Sequence, residues 1–222
     1  TTKLAALTAG ELDVAGIQPA HAPFVERDPD LRVLTYPLLL TYGIVFNTRR
    51  PPFDTPATRR ALDRALDRRE IVDGYLYGFG TPALGPVPPD VPGYLPVPAN
   101  QAPPPLEIRP ARIRFELLTV GSGEAALEQM VQAQLSRAGF DVVSRQLELS
   151  AFLARVYGAA HDFDAAVLGV PGDAGLGYLG PLAALAGIPA AADAAAAQRL
   201  FADSVPVAFL YRFNFLPDDT VG

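Results

Sequence analysis

Residues 41–89 read TYGIVFNTRRPPFDTPATRRALDRALDRREIVDGYLYGFGTPALGPVPP, and the order of features in this stretch decides the fold. Gly43-Ile44-Val45-Phe46 is a short apolar run of β-branched and aromatic residues, which predicts a strand. Asn47 to Phe53 breaks it with a proline-bearing loop. Thr55 stands at the N-cap position of a helix, with Pro56 at its first turn, where a missing N–H is harmless. Ala61, Leu62, Ala65 and Leu66 recur at helical spacing and make one apolar face. Asp67 opens a second helix, and Glu70 three residues on has the spacing of a capping box. Ile71, Val72 and Leu76 give that helix its buried side. Gly78 and Gly80 end it, and a proline-rich loop follows.

This order resembles the extracytoplasmic solute-binding proteins of the peptide/nickel type, family 5, which serve ABC importers. Their pattern runs close to Y-x-x-x-F-N-x-x-x-x-P-F-x-D-x-x-V-R-x-A-L-x-x-A-I-D-R-x-x-I-V. Tyr42, Phe46, Asn47, Pro52, Phe53, Arg60, Ala61, Leu62, Ala65, Asp67, Arg68, Ile71 and Val72 stand in its places. Arg59 replaces the family's Val and Leu66 its Ile. A following G-x-G-x-P-A-x-G-P-x-P-P is matched from Gly78 to Pro89. The resemblance implies an α/β fold of the periplasmic-binding-protein type II kind, with a mixed, mostly parallel sheet flanked by helices. It also implies that residues 1–222 form a single lobe of a larger protein, with an N-terminal lobe absent. No signal peptide is visible at Thr1, so the resemblance to a secreted family implies a mature or excised chain.

Working outward, Leu4–Leu7 reads as the end of a helix and Gly10–Ala15 as a turn into a strand. The family has a similar A-L-x-x-G-E-I-D-V-A that leads across its hinge. His21–Arg27 reads as a short helix and Leu31–Tyr36 as a strand. Residues 81–110 are proline-rich and predicted irregular, because proline fixes φ and donates no ladder hydrogen bond. The family places a helix in this part of its chain, where Gln101-Ala102-Pro103-Pro104-Pro105 stands here, so no regular structure is expected from Pro96 to Pro105. From Arg112 the pattern becomes regular: a strand over 112–120, a helix over 123–138 with Leu127, Met130, Val131 and Leu135 on one face, and Gly139 as its stop. A strand over 140–147, a short helix capped by Ser150 and a strand over 163–170 follow. Strand–helix–strand–helix–strand predicts a largely parallel arrangement in one sheet. Ala190–Leu200 leads into a helix, and Val205–Tyr211 resembles a C-terminal strand of the family.

Composition narrows the function. Half of the 222 residues are hydrophobic, enough for a sizeable core, and the net charge of -6 opposes nucleic-acid binding. No cysteine is present, which excludes disulfides, thiol nucleophiles and cysteine zinc sites. No apolar run is long enough to cross a bilayer. His21 and His161 are the only histidines. His161-Asp162-Phe163-Asp164 could be a metal site or a charged strand edge. Gly121-Ser122-Gly123 could hold an anion before a helix, but lacks the third glycine of a dinucleotide loop and the lysine of a P-loop. Arg59, Arg60, Arg64, Arg68 and Arg69, interleaved with Asp63 and Asp67, read as a solvated salt-bridged face. No catalytic constellation stands out, and no metal or other cofactor is expected.

The binding candidates are therefore few. Gly169, Val170, Gly172 and Asp173 follow a strand, where ligands of open α/β sheets bind. The resemblance aligns Asp173 with an Asp that meets a peptide's α-ammonium, with Val170 in place of that motif's aromatic; the alternative is a solvated loop aspartate. Asn47 could hydrogen-bond a ligand or close an Asx turn. Tyr42 and Tyr178 are candidate cleft aromatics or rim residues. The expected function is binding of a peptide, nickel complex or oligosaccharide and its delivery to an ABC permease in the membrane. Such a protein sits outside the cytoplasm, in the periplasm or lipid-anchored at the cell surface. A ligand-sensing domain of a bacterial transcription regulator is the alternative, and an enzyme of another type a further one.

Overall fold

The computed structural model describes residues 2–96, 113–121, 125–215 and 217–219. The core is a six-stranded sheet built from β3 (Tyr36–Phe46), β4 (Gly80–Pro82), β5 (Ile113–Val120), β6 (Phe140–Leu147), β7 (Ala165–Pro171) and β8 (Val207–Phe215), in the order β4-β8-β3-β7-β5-β6. β5 runs parallel to both β6 and β7. β3 lies antiparallel to β7 and β8, and β4 antiparallel to β8. The mixed sheet flanked by helices is thus present, and the three strands expected from 112, 140 and 163 onward share it. Its parallel half is β6-β5-β7, while β3, β4 and β8 enter by antiparallel pairing. β3 is much longer than Gly43–Phe46, because Tyr36–Tyr42 also finds partners on β8 that its own sequence does not disclose.

Helices cover both faces. On one face α3 (Pro56–Ala65), α4 (Arg68–Tyr75) and α5 (Ala126–Arg137) bury Leu62, Ile71, Val131 and Leu135 against Ile44, Phe46, Phe115 and Leu117. Phe53 extends this core, stacking on Phe46 and meeting Phe115 edge-on. On the other face α6 (Leu149–Tyr157), α7 (Leu179–Ala186) and α8 (Ala194–Ser204) set Phe152, Val156, Leu182 and Phe201 against Val45, Leu118, Leu168 and Phe209. This alternation of β7 and β5 residues between two cores is what a strand covered on both sides requires. The helix stops as the sequence indicates, with Gly139 at φ +90° after α5. Glu148 rather than Ser150 precedes α6, so Ser150 lies inside the helix.

A smaller sheet, β1-β9-β2, joins β1 (Val14–Gly16), β2 (Arg32–Val33) and β9 (Pro217–Asp219). It packs with α1 (Thr2–Thr8) and α2 (Ala22–Val25) around Leu7, Val25 and Leu31. Residues 83–96 are irregular, in keeping with their prolines, whereas Thr81 and Pro82 belong to β4. The expectation for Pro96–Pro105 falls almost wholly outside the described residues, as do Ser122 and Gly123 of the candidate anion loop.

Two members of the basic cluster depart from a solvated face, whereas Arg64 and Arg69 stay exposed, with Arg69 facing Asp73 one turn on. Arg59 is 3% exposed and gives Nε to Ser204 O and Val205 O and Nη1 to Phe53 O. Arg68 pairs with Asp63 and gives Nε to Ala83 O and Phe209 O, at 3.0 and 2.6 Å. Both arginines satisfy backbone carbonyls brought in from distant elements and turns, work suited to five donors on a long apolar stem.

Candidate functional site

The carboxyl end of β7 carries the candidate site. Leu168 and Val170 point into the core beneath α6 and α7, and Gly169 and Pro171 lie exposed between and beyond them. Around them opens an apolar pocket of about 230 Å³, closed by Tyr157 of α6, by Tyr178, and by Pro181, Leu182 and Leu185 of α7. Gly169 could not carry a side chain without crowding, since a Cβ there would lie 3.2 Å from Tyr42 Cζ on the neighbouring strand. The chain then turns sharply. Gly172 N donates to Leu39 O at 2.5 Å, and a Cβ at Gly172 would lie 3.3 Å from that oxygen.

Tyr178 fixes one wall. Its hydroxyl donates to Pro86 O at 2.7 Å, tying the start of α7 to the proline-rich loop. Burial pushes its phenol up to about 12, with Asp173 raising it further and Arg212 opposing. Arg212 is itself buried and gives Nη2 to Gly85 O and Val87 O, so the same loop is held from both sides. Asp173 is exposed just past the pocket. Its Oδ1 accepts from Gly177 N at 3.2 Å, a bond that orients one oxygen and leaves the carboxylate facing water.

Of the residues singled out in the sequence, Gly169, Val170 and Tyr178 therefore line one pocket, with Gly172 and Asp173 at its edge. Tyr42 is sent to the opposite face of the sheet, where it stacks on Tyr211 with centroids 5.0 Å apart. Asn47 lies at the other end of the β3–β7 ladder, 2% exposed. Its amide nitrogen donates to His161 O and Phe163 O, and its Oδ1 accepts from Arg49 N in an Asx turn. Both side-chain polar atoms of Asn47, and its backbone N–H, serve the fold. Leu168, Pro181, Leu182 and Leu185 line the pocket without having stood out, because an apolar residue that lines a pocket reads the same as one that fills a core.

The acidic strand start at 161–164 is a charged edge. Arg50 pairs with Asp162 and Asp164, and Arg155 bridges Asp162 and Glu116. Among the described residues no group of three or more His, Asp or Glu is placed to hold a metal ion. Nor is any described helix long and apolar enough to cross a membrane.

A mixed sheet covered on both faces, with a pocket beyond the carboxyl end of a strand, defines an α/β fold with a candidate ligand site at the place where such sheets bind ligands. The chain belongs to the bacterial extracellular solute-binding proteins, family 5, whose middle-region profile matches residues 1–182. That is a family of binding proteins rather than enzymes, and an extracytoplasmic one. A probable di/tripeptide-binding protein 5 of Pseudomonas aeruginosa is 29% identical over 175 residues, which cover 72% of this chain and 33% of that protein. Heme-binding protein A of Haemophilus influenzae is 35% identical over 95 residues, 42% of this chain and 17% of that protein. The fold also matches NikA from Brucella suis in complex with Fe(III)-EDTA, with a TM-score of 0.74 at 19% identity over 99% of this chain and 55% of that one. The chain thus spans a third or less of these two curated relatives and about half of the solved one. The transcription-regulator reading gains no support from these proteins.

Proposed function

We propose that this chain is one lobe of the solute receptor of an ABC importer and supplies one wall of a ligand cleft. The pocket at the end of β7 is that wall, and the opposite wall comes from a second lobe outside these 222 residues. The observation that carries this reading is the pocket's position: it opens beyond the carboxyl end of a strand, lined by Gly169, Val170 and Tyr178, in a chain whose family match spans 1–182. The outward face of α6 supports it. Leu149, Leu153 and Tyr157 are 56%, 44% and 54% exposed at successive turns, an apolar row leading to the pocket that suits a surface facing another body.

The solute is a short peptide with an apolar side chain. That side chain enters the pocket, and Asp173 receives the peptide's ammonium. The similarity to the probable di/tripeptide-binding protein 5 of Pseudomonas aeruginosa supports this solute class. The closed two-lobed protein then delivers the peptide to a membrane permease from the periplasm or from a lipid-anchored position. Calorimetry of the two-lobed protein with a panel of di- and tripeptides tests it. Saturable binding should weaken about ten- to a hundredfold in Asp173→Asn, through loss of a charge-assisted contact. Peptide binding that ignores this substitution, or no peptide binding at all, refutes the assignment.

A further inference from the structure

A second cavity, of about 320 Å³, opens between α3, α8 and the 84–96 loop, and shares no lining residue with the pocket at β7. Its floor is apolar, formed by Phe201, Val205, Val207 and Phe209. The floor exists because β4 pairs only with Tyr211–Phe213 of β8, so the first residues of β8 have no strand beside them on that side. Arg68 closes part of this open edge by taking Phe209 O, and Ala83 N takes Leu210 O.

Above the floor stand four guanidinium groups, Arg60, Arg64, Arg68 and Arg199, and one carboxylate, Asp63. Arg68 and Asp63 neutralise each other. Arg60 gives Nη1 to Asp203 O, a neutral carbonyl, which leaves its charge uncompensated. Among the described residues Arg64 and Arg199 form no hydrogen bond or ion pair, and both are exposed. Arg60, Arg64 and Arg199 therefore line an apolar hollow with no ion pair among the described residues, in a chain whose net charge is -6. Burial first, and Arg60 second, push the Arg64 guanidinium below its ordinary value, with Asp63 opposing.

We propose that this cavity is a binding site for a small amphiphilic anion, with an anionic head held between Arg60, Arg64 and Arg199 and an apolar chain lying on Phe201, Val207 and Phe209. Guanidinium groups are matched to carboxylate, sulfate and phosphate oxygens by their forked donors. The rim is wet and the floor dry, so the head sits at the mouth and the chain inside. The volume is at the lower end of the range of small-molecule sites, which run from about 300 to 1,000 Å³. A bare inorganic anion leaves the floor hydrated, and an apolar cation meets three like charges. The site does not depend on the peptide reading, since no residue of the β7 pocket takes part.

The test is titration of the 222-residue chain with sodium decanoate below its micellar concentration, at low salt, by calorimetry. Inorganic phosphate serves as the head without a chain, and decyltrimethylammonium as the chain with the opposite head. Saturable one-to-one binding of decanoate is expected, weakened at least about tenfold in an Arg64→Glu/Arg199→Glu variant and unchanged in Asp173→Asn. Ala202→Phe, which fills the cavity from α8, should abolish it while circular dichroism shows the fold retained. Absence of saturable decanoate binding overturns the proposal. So does equal binding by the double arginine variant, by phosphate, or by decyltrimethylammonium.

Discussion

Asp67 and Gln134 hold each other across two helices. Gln134 Oε1 accepts the Asp67 amide at 2.9 Å, and Gln134 Nε2 donates back to the Asp67 carbonyl at 3.1 Å. Asp67 is meanwhile the N-cap of α4, its Oδ1 accepting from Arg69 N and Glu70 N at 3.0 Å each. The capping box is therefore only half built: the amide that Glu70 would serve is taken by Gln134, and Glu70 Oε2 accepts from Gln134 Nε2 and pairs with Arg137 instead. Gln134 is 3% exposed, so its loss strands groups away from water. Gln134→Leu should lower stability by about 1–3 kcal/mol. Glu70→Gln should cost less than about 1 kcal/mol, because its ion pair is largely solvated. Urea unfolding of both variants checks the order, and a larger loss for Glu70→Gln refutes it.

Arg49 caps the far end of α7. Its Nη1 and Nη2 donate to Leu185 O and Ala184 O at 3.0 and 2.6 Å, while Thr48 takes Ala186 O with both its amide and its hydroxyl. The last carbonyls of a helix want donors and positive charge, and Arg49 supplies both. Arg49→Ala should destabilise by about 1–2 kcal/mol, with Arg49→Lys recovering only part, since one ammonium does not reproduce a fork. Gly187, at φ +87°, completes the turn beneath Arg49, and Gly187→Ala should also cost about 1 kcal/mol or more. Denaturant midpoints for Arg49→Ala that match the wild type would show that water replaces the cap.

How far the sequence discloses this structure depends on how far apart the interacting residues lie. Local signals are legible: the apolar stripe of α5, Gly139 at its end and Asp67 at the start of α4 each concern residues within a turn or two. Arg59 and Glu70 mislead because their partners are distant. Arg59 reads as one more surface charge until the end of α8 arrives with Ser204 and Val205, and Glu70 reads as a capping partner until α5 brings Gln134. The pocket is half legible. Glycines and an acid after a strand mark a candidate ligand edge, whereas Pro181, Leu182 and Leu185 become a wall only when α7 folds back over β7. Tyr42 on β3 and Asn47 just past its end neighbour the candidate site in sequence pattern, and alternation across the sheet and antiparallel pairing carry both away from it.

Tyr178 gives the alkaline limb of stability a traceable component. Its phenol titrates near 10 in an unfolded chain and at about 12 in the fold, chiefly through burial. The native state therefore holds that proton more tightly. The stabilisation is fully present below pH of about 10 and is lost as pH rises toward about 12. Tyr211 and Tyr157 are shifted in the same direction by burial, so the wild type combines several contributions. Tyr178→Phe should flatten the fall in stability across this window without removing it. Unfolding free energies at stepped pH check this, and identical pH slopes for the two proteins would contradict it.

The 222-residue chain by itself should hold a peptide only weakly. The β7 pocket, at about 230 Å³, is smaller than the roughly 300–1,000 Å³ of sites that enclose a small molecule, and it encloses no more than a side chain. Asp173 is exposed, and a carboxylate in water attracts an ammonium by only about 1 kcal/mol at contact distance. If a closed two-lobed site of about 1 μM is worth roughly 8 kcal/mol, an even division of its contacts leaves about 4, a millimolar constant. Side chains that a second lobe would immobilise are also free to move, which lowers affinity further. Calorimetry of this chain with di- and tripeptides and with a sugar panel should therefore give constants near or above about 1 mM, and addition of the second lobe should tighten peptide binding about a thousandfold. Micromolar binding of any of these solutes by the 222-residue chain would mean that one lobe already contains the whole site, and the two-walled cleft would have to be abandoned.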